Sequence, residues 1–210
     1  RFVNNTKPIR KISFSEAAEL AYFGAKILHP TCVQPAKEAN IPIRLKYTMD
    51  PDAQGTLIVG DVESGKLQAI AAKDNMVVVN IHSKRSVTPN VFLKKTLEVF
   101  EDYNVAIDLM TTTEVAVAVC AEQTSNTEKI MQSLLSYADV NIEEDMSVIC
   151  AVGDFNWNNP TPTLQQEVLS SLKPFNIRMI AFGGSKYNVS FVVQSADKQS
   201  VLQRLNESLF

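Results

Sequence analysis

The chain has 210 residues, 45% of them hydrophobic, and a formal net charge of −3. That composition supports a real globular core shared among one to three small domains. No basic cluster offers a footing for nucleic acid or an anionic membrane surface, and no apolar run approaches membrane-spanning length.

Residues 1–6 are neither a signal peptide nor an initiating sequence, and read as the cut edge of a longer chain. Residues 1–60 then differ in texture from the rest. Ser13 ahead of Glu16 and an apolar run has the form of a capping box. It predicts a helix over 15–23 that buries Ala17, Leu20 and Ala21 and stops at Gly24. A second helix is expected through Val33, Ala36 and Lys37, ending at Asn40. Residues 41–45 predict a strand with Pro42 near its start, where a missing N–H matters least. A loop over 50–56 leads to a last strand over 57–59. Two helices and a hairpin need a sheet to pack on, and this reading finds none in the chain.

From residue 67 the pattern repeats. Residues 67–72 and 76–81 are strand-like runs, the second rich in β-branched residues. Val91, Phe92, Thr96, Leu97, Val99, Phe100 and Tyr103 have helical spacing. Strands over 105–110 and 114–119, a helix over 127–137 and a short strand over 139–142 complete a ferredoxin-like βαββαβ order. A second copy follows, with a strand over 146–152, a helix over 164–175 and a strand over 177–182. A turn at Gly183 and Gly184, a strand over 189–193 and a helix over 197–209 complete it. Asn104-Val105-Ala106-Ile107 and Asn176-Ile177-Arg178-Met179 hold the same place in the two copies. The second copy stops one strand short, which leaves an open edge. Residues 67–72 are the candidate to cross over and fill it. The first unit, 75–143, is then inserted in the second, 66–74 plus 144–210. The fold class is α+β, with two intertwined ferredoxin-like units. Cys32, Cys120 and Cys150 are odd in number, widely spaced and set among apolar residues, which reads as buried free thiols in a reducing cytosol.

Residues 16–30, EAAELAYFGAKILHP, followed by Asn40-Ile41-Pro42-Ile43, Asp50-Pro51 and Gly55-Thr56-Leu57-Ile58, resemble the late segment of the aspartate kinase catalytic domain. The tandem units resemble that family's paired ACT domains. Asp108-Leu109-Met110-Thr111-Thr112-Thr113-Glu114-Val115 and Phe175-Asn176-Ile177-Arg178-Met179-Ile180 are similar to its two signature strand segments. The resemblance covers essentially the whole chain and is to the monofunctional, lysine-sensitive type. It implies that residues 1–60 are the C-terminal piece of an amino-acid-kinase α/β domain and that two ACT units follow. The implied function is regulatory. The parent enzyme would use ATP with Mg to phosphorylate L-aspartate, the first step of lysine, threonine and methionine biosynthesis. An end-product amino acid would bind the ACT units for feedback inhibition, lysine ahead of threonine. The family's N-terminal phosphate- and aspartate-binding core is absent from these residues, so they are expected to be inactive alone and to require no cofactor. The implied setting is cytoplasmic, as a homodimer through the ACT units, without nucleic acid or membrane. The alternative is a stand-alone amino-acid-sensing ACT protein acting on a partner enzyme, against which residues 1–60 speak.

The resemblance gives Lys26 the role of reaching an ATP phosphate as a point charge in the full enzyme, where a lone lysine otherwise reads as a solvated surface group. His29 before Pro30 reads as a turn residue, since no Cys or carboxylate lies at ligand spacing, and no metal site is expected. An amino-acid effector needs donors for its carboxylate, which a helix N-terminus offers, and acceptors for its ammonium. The resemblance places that pocket at the loop over 83–90, with Ser86, Thr88, Phe92 and Leu93 as contacts. Ile107 and Asp108 fall at the strand position of the family's ammonium-binding aspartate. Thr112, Thr113 and Glu114 match the closing turn, with Glu114 a second carboxylate for a cationic side chain. Without the resemblance, Asp108 reads equally as a satisfied edge-strand polar group. As a ligand residue, it is expected to cost little stability when removed. The loop departs from its relatives at Val91-Phe92-Leu93, where they usually carry Gly-Phe-Leu. Lys84 and Arg85 read as solvated loop charges and His82 as a hydrogen-bonded structural residue. Trp157, in the equivalent loop of the second unit, reads as a packing group, with a pocket cap as the alternative.

Overall fold

A capping box sets the start of the first helix. The Ser13 hydroxyl accepts from the Glu16 amide at 3.2 Å, and the Ser13 amide donates to the Glu16 carboxylate at 2.9 Å. The computed structural model describes residues 3, 6–24, 28, 30–60, 62, 66–84, 88–155 and 164–210. Ser13 closes strand β1 (Lys11–Ser13) and caps helix α1 (Phe14–Tyr22). Gly24, at φ 104°, follows the helix in a conformation that suits glycine. After α2 (Pro30–Glu38) come β2 (Ile43–Leu45) and β3 (Thr56–Val59). β1 pairs parallel to β3, and β3 pairs antiparallel to β2. Ile12, Phe14, Ala17, Val33 and Ile58 form the core between this sheet and its helices. The segment therefore carries a sheet of its own, contrary to the expectation from sequence. β1 is only three residues long, too short to show a period, and its partner lies far along the chain.

The remaining elements are β4 (Leu67–Ser83), α3 (Pro89–Asp102), β5 (Ile107–Thr112), β6 (Ala116–Glu122), α4 (Thr127–Leu135), β7 (Ala138–Gly153), α5 (Leu164–Ser171), β8 (Met179–Phe182), β9 (Asn188–Gln194) and α6 (Lys198–Leu209). They form one six-stranded sheet in the order β5-β6-β4-β7-β9-β8. The runs read as separate strands over 67–72 and 76–81 are continuous in β4, and those over 139–142 and 146–152 are continuous in β7. The two long strands run antiparallel and meet at Met76 and Met146. On one side of that crossing Lys73 faces Val148 and Leu67 faces Gly153; on the other, Val78 faces Glu143 and Ser83 faces Ala138.

Asn75 and Asp145, one residue before each methionine, sit at φ 60° and 57°. Their carbonyls accept from the amides of Gln123 and Ser195, just past the ends of β6 and β9. The β4–β7 register shifts on each side of the methionines and the two shifts cancel, each strand carrying one extra residue that reverses its alternation of faces. Ile70 and Ala72 face the helices before it; Val77, Val79 and Ile81 do so after it. An uninterrupted strand would turn one of these sets to the wrong face. α3 and α4 cover this face at one end, over Val79, Phe92, Phe100 and Leu134. α5 and α6 cover it at the other, over Ile149, Phe191, Val168 and Leu205. The opposite face carries Met76, Val78, Leu109, Cys120, Val148 and Val192, and α1 lays Leu20 and the following Phe23 upon it. The sheet curls enough for its outer strands, β5 and β8, to touch.

Cys120 and Cys150 are buried, and burial pushes both thiols up to about 12, which leaves them as packing groups. Cys32 is exposed on α2, unlike the reading from sequence. Among the described residues no helix is long and apolar enough to cross a membrane.

Arg178, just before β8, ties that outer strand to the centre of the sheet. Its guanidinium donates to the Glu143 carboxylate at 2.6–2.9 Å and to the Asn80 side chain. These bonds from Arg178 hold the Glu143 carboxyl below its ordinary value. A depressed carboxyl contributes stability that is full above its unfolded pKa, about 4.3, and is lost as pH falls through the lower folded value. Arg178→Met should therefore be destabilised relative to wild type at neutral pH, with the gap closing below about pH 4, read by urea unfolding at several pH values. A gap that held constant down to acid pH would show that the pair contributes only packing.

Candidate functional site

The end of β4 is fastened to the turn between β5 and β6. The Ser83 amide donates to the Val115 carbonyl at 2.9 Å. Within that turn the Thr113 amide donates to the Ala116 carbonyl at 2.8 Å, and the Thr113 hydroxyl accepts from the Ala116 amide at 3.1 Å. Thr112, Thr113 and Glu114 are exposed. Thr88 is the extended N-cap of α3 without a side-chain cap bond, Pro89 opens the helix, and no acidic residue lies in its first turn. That leaves the positive end of the helix dipole without a carboxylate of its own in the first turn. Lys84, read as a solvated loop charge, is exposed but engaged: its ammonium reaches the Leu135 carbonyl at the end of α4 and the Asp139 carboxylate.

Phe92 is buried edge-on against Tyr137 in the core under α3. Leu93 is half-buried and lines a surface groove of about 430 Å³ along α3. Ser86, Arg85, Lys26, His29 and Trp157 lie outside the described residues. His82 is exposed near the end of β4.

Ile107 and Asp108 stand at the other end of β5 from Thr112, about 13 Å away at the rise of a strand. Within one chain the structure thus brings the loop end, Ser83 and the 112–116 turn together, and places Asp108 apart from them. Asp108 is the extra residue of a bulge, where the register passes from Ile107 opposite Ala121 to Leu109 opposite Cys120. Both its carboxylate oxygens accept from the Lys73 ammonium at 3.0 Å. The Asp108 side chain is 3% exposed and that of Lys73 27%. Glu122, at 3.5 Å from the same ammonium, is 55% exposed. Burial pushes the Asp108 carboxyl above its ordinary value, and Lys73 offsets that only in part. Burial also disfavours the Lys73 ammonium, but Asp108 and then Glu122 outweigh it and raise the lysine pKa.

Tyr22 of α1 stands over the same spot, its hydroxyl 3.5 Å from the Ile107 carbonyl. Burial, then the charge of Asp108, raises the Tyr22 pKa. On the opposite side α1 is held by Glu19, which accepts from the Asn188 side chain at the start of β9. Lys73, Glu122 and Tyr22 were not singled out from sequence. The one available signal was the charged pair Lys73-Asp74 interrupting a β-rich run. A larger cavity, of about 480 Å³, lies away from these residues, between Val3, residues 6–10, the start of β4 and the end of α6.

Comparison with known proteins gives two family matches, the amino acid kinase family over residues 1–47 and the ACT domain over residues 149–209. The chain is 34% identical over 219 residues to lysine-sensitive aspartokinase 3 of Escherichia coli, spanning 100% of this chain and 48% of that protein. It is 32% identical to chloroplastic aspartokinase 1 of Arabidopsis thaliana, spanning 97% of this chain and 37% of that one. The chain therefore spans less than half the length of these relatives. Among solved structures it is similar to E. coli aspartokinase III with aspartate and ADP (R-state), at 33% identity and a TM-score of 0.88 over 100% of this chain and 48% of that one. The same enzyme with lysine and aspartate (T-state) matches at 33% identity and 0.84 over 97% and 47%. A putative C-terminal regulatory domain of aspartate kinase from Porphyromonas gingivalis matches at 34% identity and 0.61, over 68% of this chain and 96% of that one.

The burial of Asp108 against Lys73 predicts a stability cost that an open edge-strand carboxylate would not have. Asp108→Ala should lower the unfolding free energy of the ligand-free chain by about 1–3 kcal/mol, since it strands a half-buried ammonium with only Glu122. Urea unfolding checks this, and an unchanged midpoint would show the pair to be energetically idle.

Proposed function

The chain belongs to the aspartokinase family, and from that premise we propose that its six-stranded sheet binds an end-product amino acid and passes that signal to a kinase active site. Residues 1–60 are then the edge of the catalytic domain. Residues 75–143 form a first ACT unit, inserted in a second made of 66–74 and 144–210. The effector site lies at the first unit, built from Ser86, Thr88, Leu93 and the 112–114 turn, with Asp108 for the ammonium. Lysine is the leading effector and threonine the second. The observation that carries this reading is the similarity of almost the whole chain to the E. coli aspartokinase III structure that holds lysine. The parent reaction is ATP-dependent phosphorylation of L-aspartate, with Mg, and the setting is cytoplasmic.

Two features support a homodimer through this unit. β5 is an outer strand, joined in the sheet's strand order to β6 alone. Val91, Leu97, Val115 and Leu135 are exposed on α3, the β5–β6 turn and α4. A partner strand running antiparallel to β5 would also bring the second copy's Asp108 near the first copy's Thr112. The stand-alone sensor is the weaker reading, because α1 of the kinase edge is packed into the sheet and is not a loose appendage.

Titration of the purified chain with L-lysine, L-threonine and L-methionine in a calorimeter tests the proposal. L-lysine should bind, and Asp108→Asn should weaken it about ten- to a hundred-fold, the loss of one charge-assisted hydrogen bond. Sedimentation should give a dimer at tens of micromolar, within the range of a weak interface. Aspartate and ATP should yield no ADP from these 210 residues. Heat from none of the three amino acids would sink the effector reading.

A further inference from the structure

We infer that Lys73 is a tethered counter-cation that holds Asp108 in the effector-free chain, and that an incoming amino acid must displace it, so that Lys73 sets the affinity of the site. This rests on the effector reading of Asp108 given above. The first observation is chemical identity. The ε-ammonium of Lys73 is a primary ammonium with three donors, the same group that an amino acid presents at its α-carbon. It already satisfies both Asp108 oxygens. The second is access. The Asp108 side chain is closed to solvent while Lys73 and Glu122 are not, so a ligand reaches the carboxylate past Lys73. The third is a place for the displaced charge. Glu122 lies 3.5 Å from the same ammonium, and Lys73 can swing to it without being left unpaired.

The other half of the sheet supplies the contrast. Lys73 and Glu143 each stand three residues before the central methionine of their strand, and each is joined to the beginning of an outer strand, at Asp108 and at Arg178. There the polarity is reversed. The outer strand carries a planar guanidinium that engages Glu143 through two nitrogens and Asn80 as well. A fork of that kind is a fixed brace, whereas a single ammonium on a flexible stem is exchangeable. Met76 opposite Glu122 and Met146 opposite Gln194 make Cys120 and Val192 equivalent, and with them their partners Leu109 and Met179, so Asp108 and Arg178 hold corresponding positions and only the first half offers a carboxylate there.

Two substitutions at residue 73 test this in opposite directions, with L-lysine titrated into the 210-residue chain by calorimetry. Lys73→Gln keeps a donor to Asp108 but removes the competing charge, and should tighten binding about tenfold. Lys73→Arg replaces the exchangeable ammonium with a fork, and should weaken binding by a similar factor, about tenfold. If Asp108→Asn weakens binding while Lys73→Gln leaves it equal or weaker, the role of Lys73 is overturned and the effector site stands. If wild type binds no lysine, or binds it regardless of Asp108→Asn, the effector reading falls and this inference with it. Should Lys73→Gln fail to fold, Lys73→Arg decides alone: affinity equal to or tighter than wild type overturns the inference.

Discussion

The crossing of β4 and β7 at Met76 and Met146 is the constraint on which the rest of the structure depends. Each strand is long enough to serve both halves of the sheet, and each must keep its apolar residues toward the helices on both sides of the crossing. A strand of period two cannot do so when its apolar residues pass from even to odd positions, as from Ile70 and Ala72 to Val77, Val79 and Ile81, unless its alternation reverses. Asn75 and Asp145 make that change, each in the left-handed conformation that Asn and Asp tolerate better than most residues. Their carbonyls then take the first amides beyond β6 and β9, so the kink fixes where the flanking strands end.

That geometry leaves the outer strands to be fastened. They are reached from the centre by side chains that stand beside the kinks, Lys73 toward β5 and Glu143 toward β8. The two ties differ in kind. Arg178 and Glu143 are partly open to water and multiply bonded, a stable clamp at neutral pH. Asp108 is nearly closed off, and its burial opposes the charge that Lys73 supports. A carboxylate held in that balance is a natural point for an external ammonium to act.

α1 joins this balance to the kinase edge. It begins at the capping box on Ser13, crosses the uncovered face of the sheet with Leu20 and Phe23, and touches β5 through Tyr22 and β9 through Glu19. Its end leads directly to Gly24, whose positive φ turns the chain out of the helix. A change at β5 or β9 therefore bears on the same helix, whose other residues pack in the core of the first segment.

Much of this was legible in the residues themselves. The capping residues Ser13 and Glu16, the helical spacing from Val91 to Phe100 and the β-branched run ending at Ile81 are local signals, and local signals mark helices and strands wherever a period is long enough to read. The tandem order of elements and the family motif around Asp108 pointed to paired ACT units for the same reason. What sequence could not supply were facts made by distant partners. β1 is three residues that become a strand only against Thr56–Val59. β4 is one strand and not two because β7 pairs with it along its whole length. Asp108 is buried and neutralised because a bulge aims it at Lys73, thirty-five positions earlier in the chain. Periodicity records which face a residue turns to, but the charge that meets it there is chosen by strand order and register, and those exist only in the folded chain.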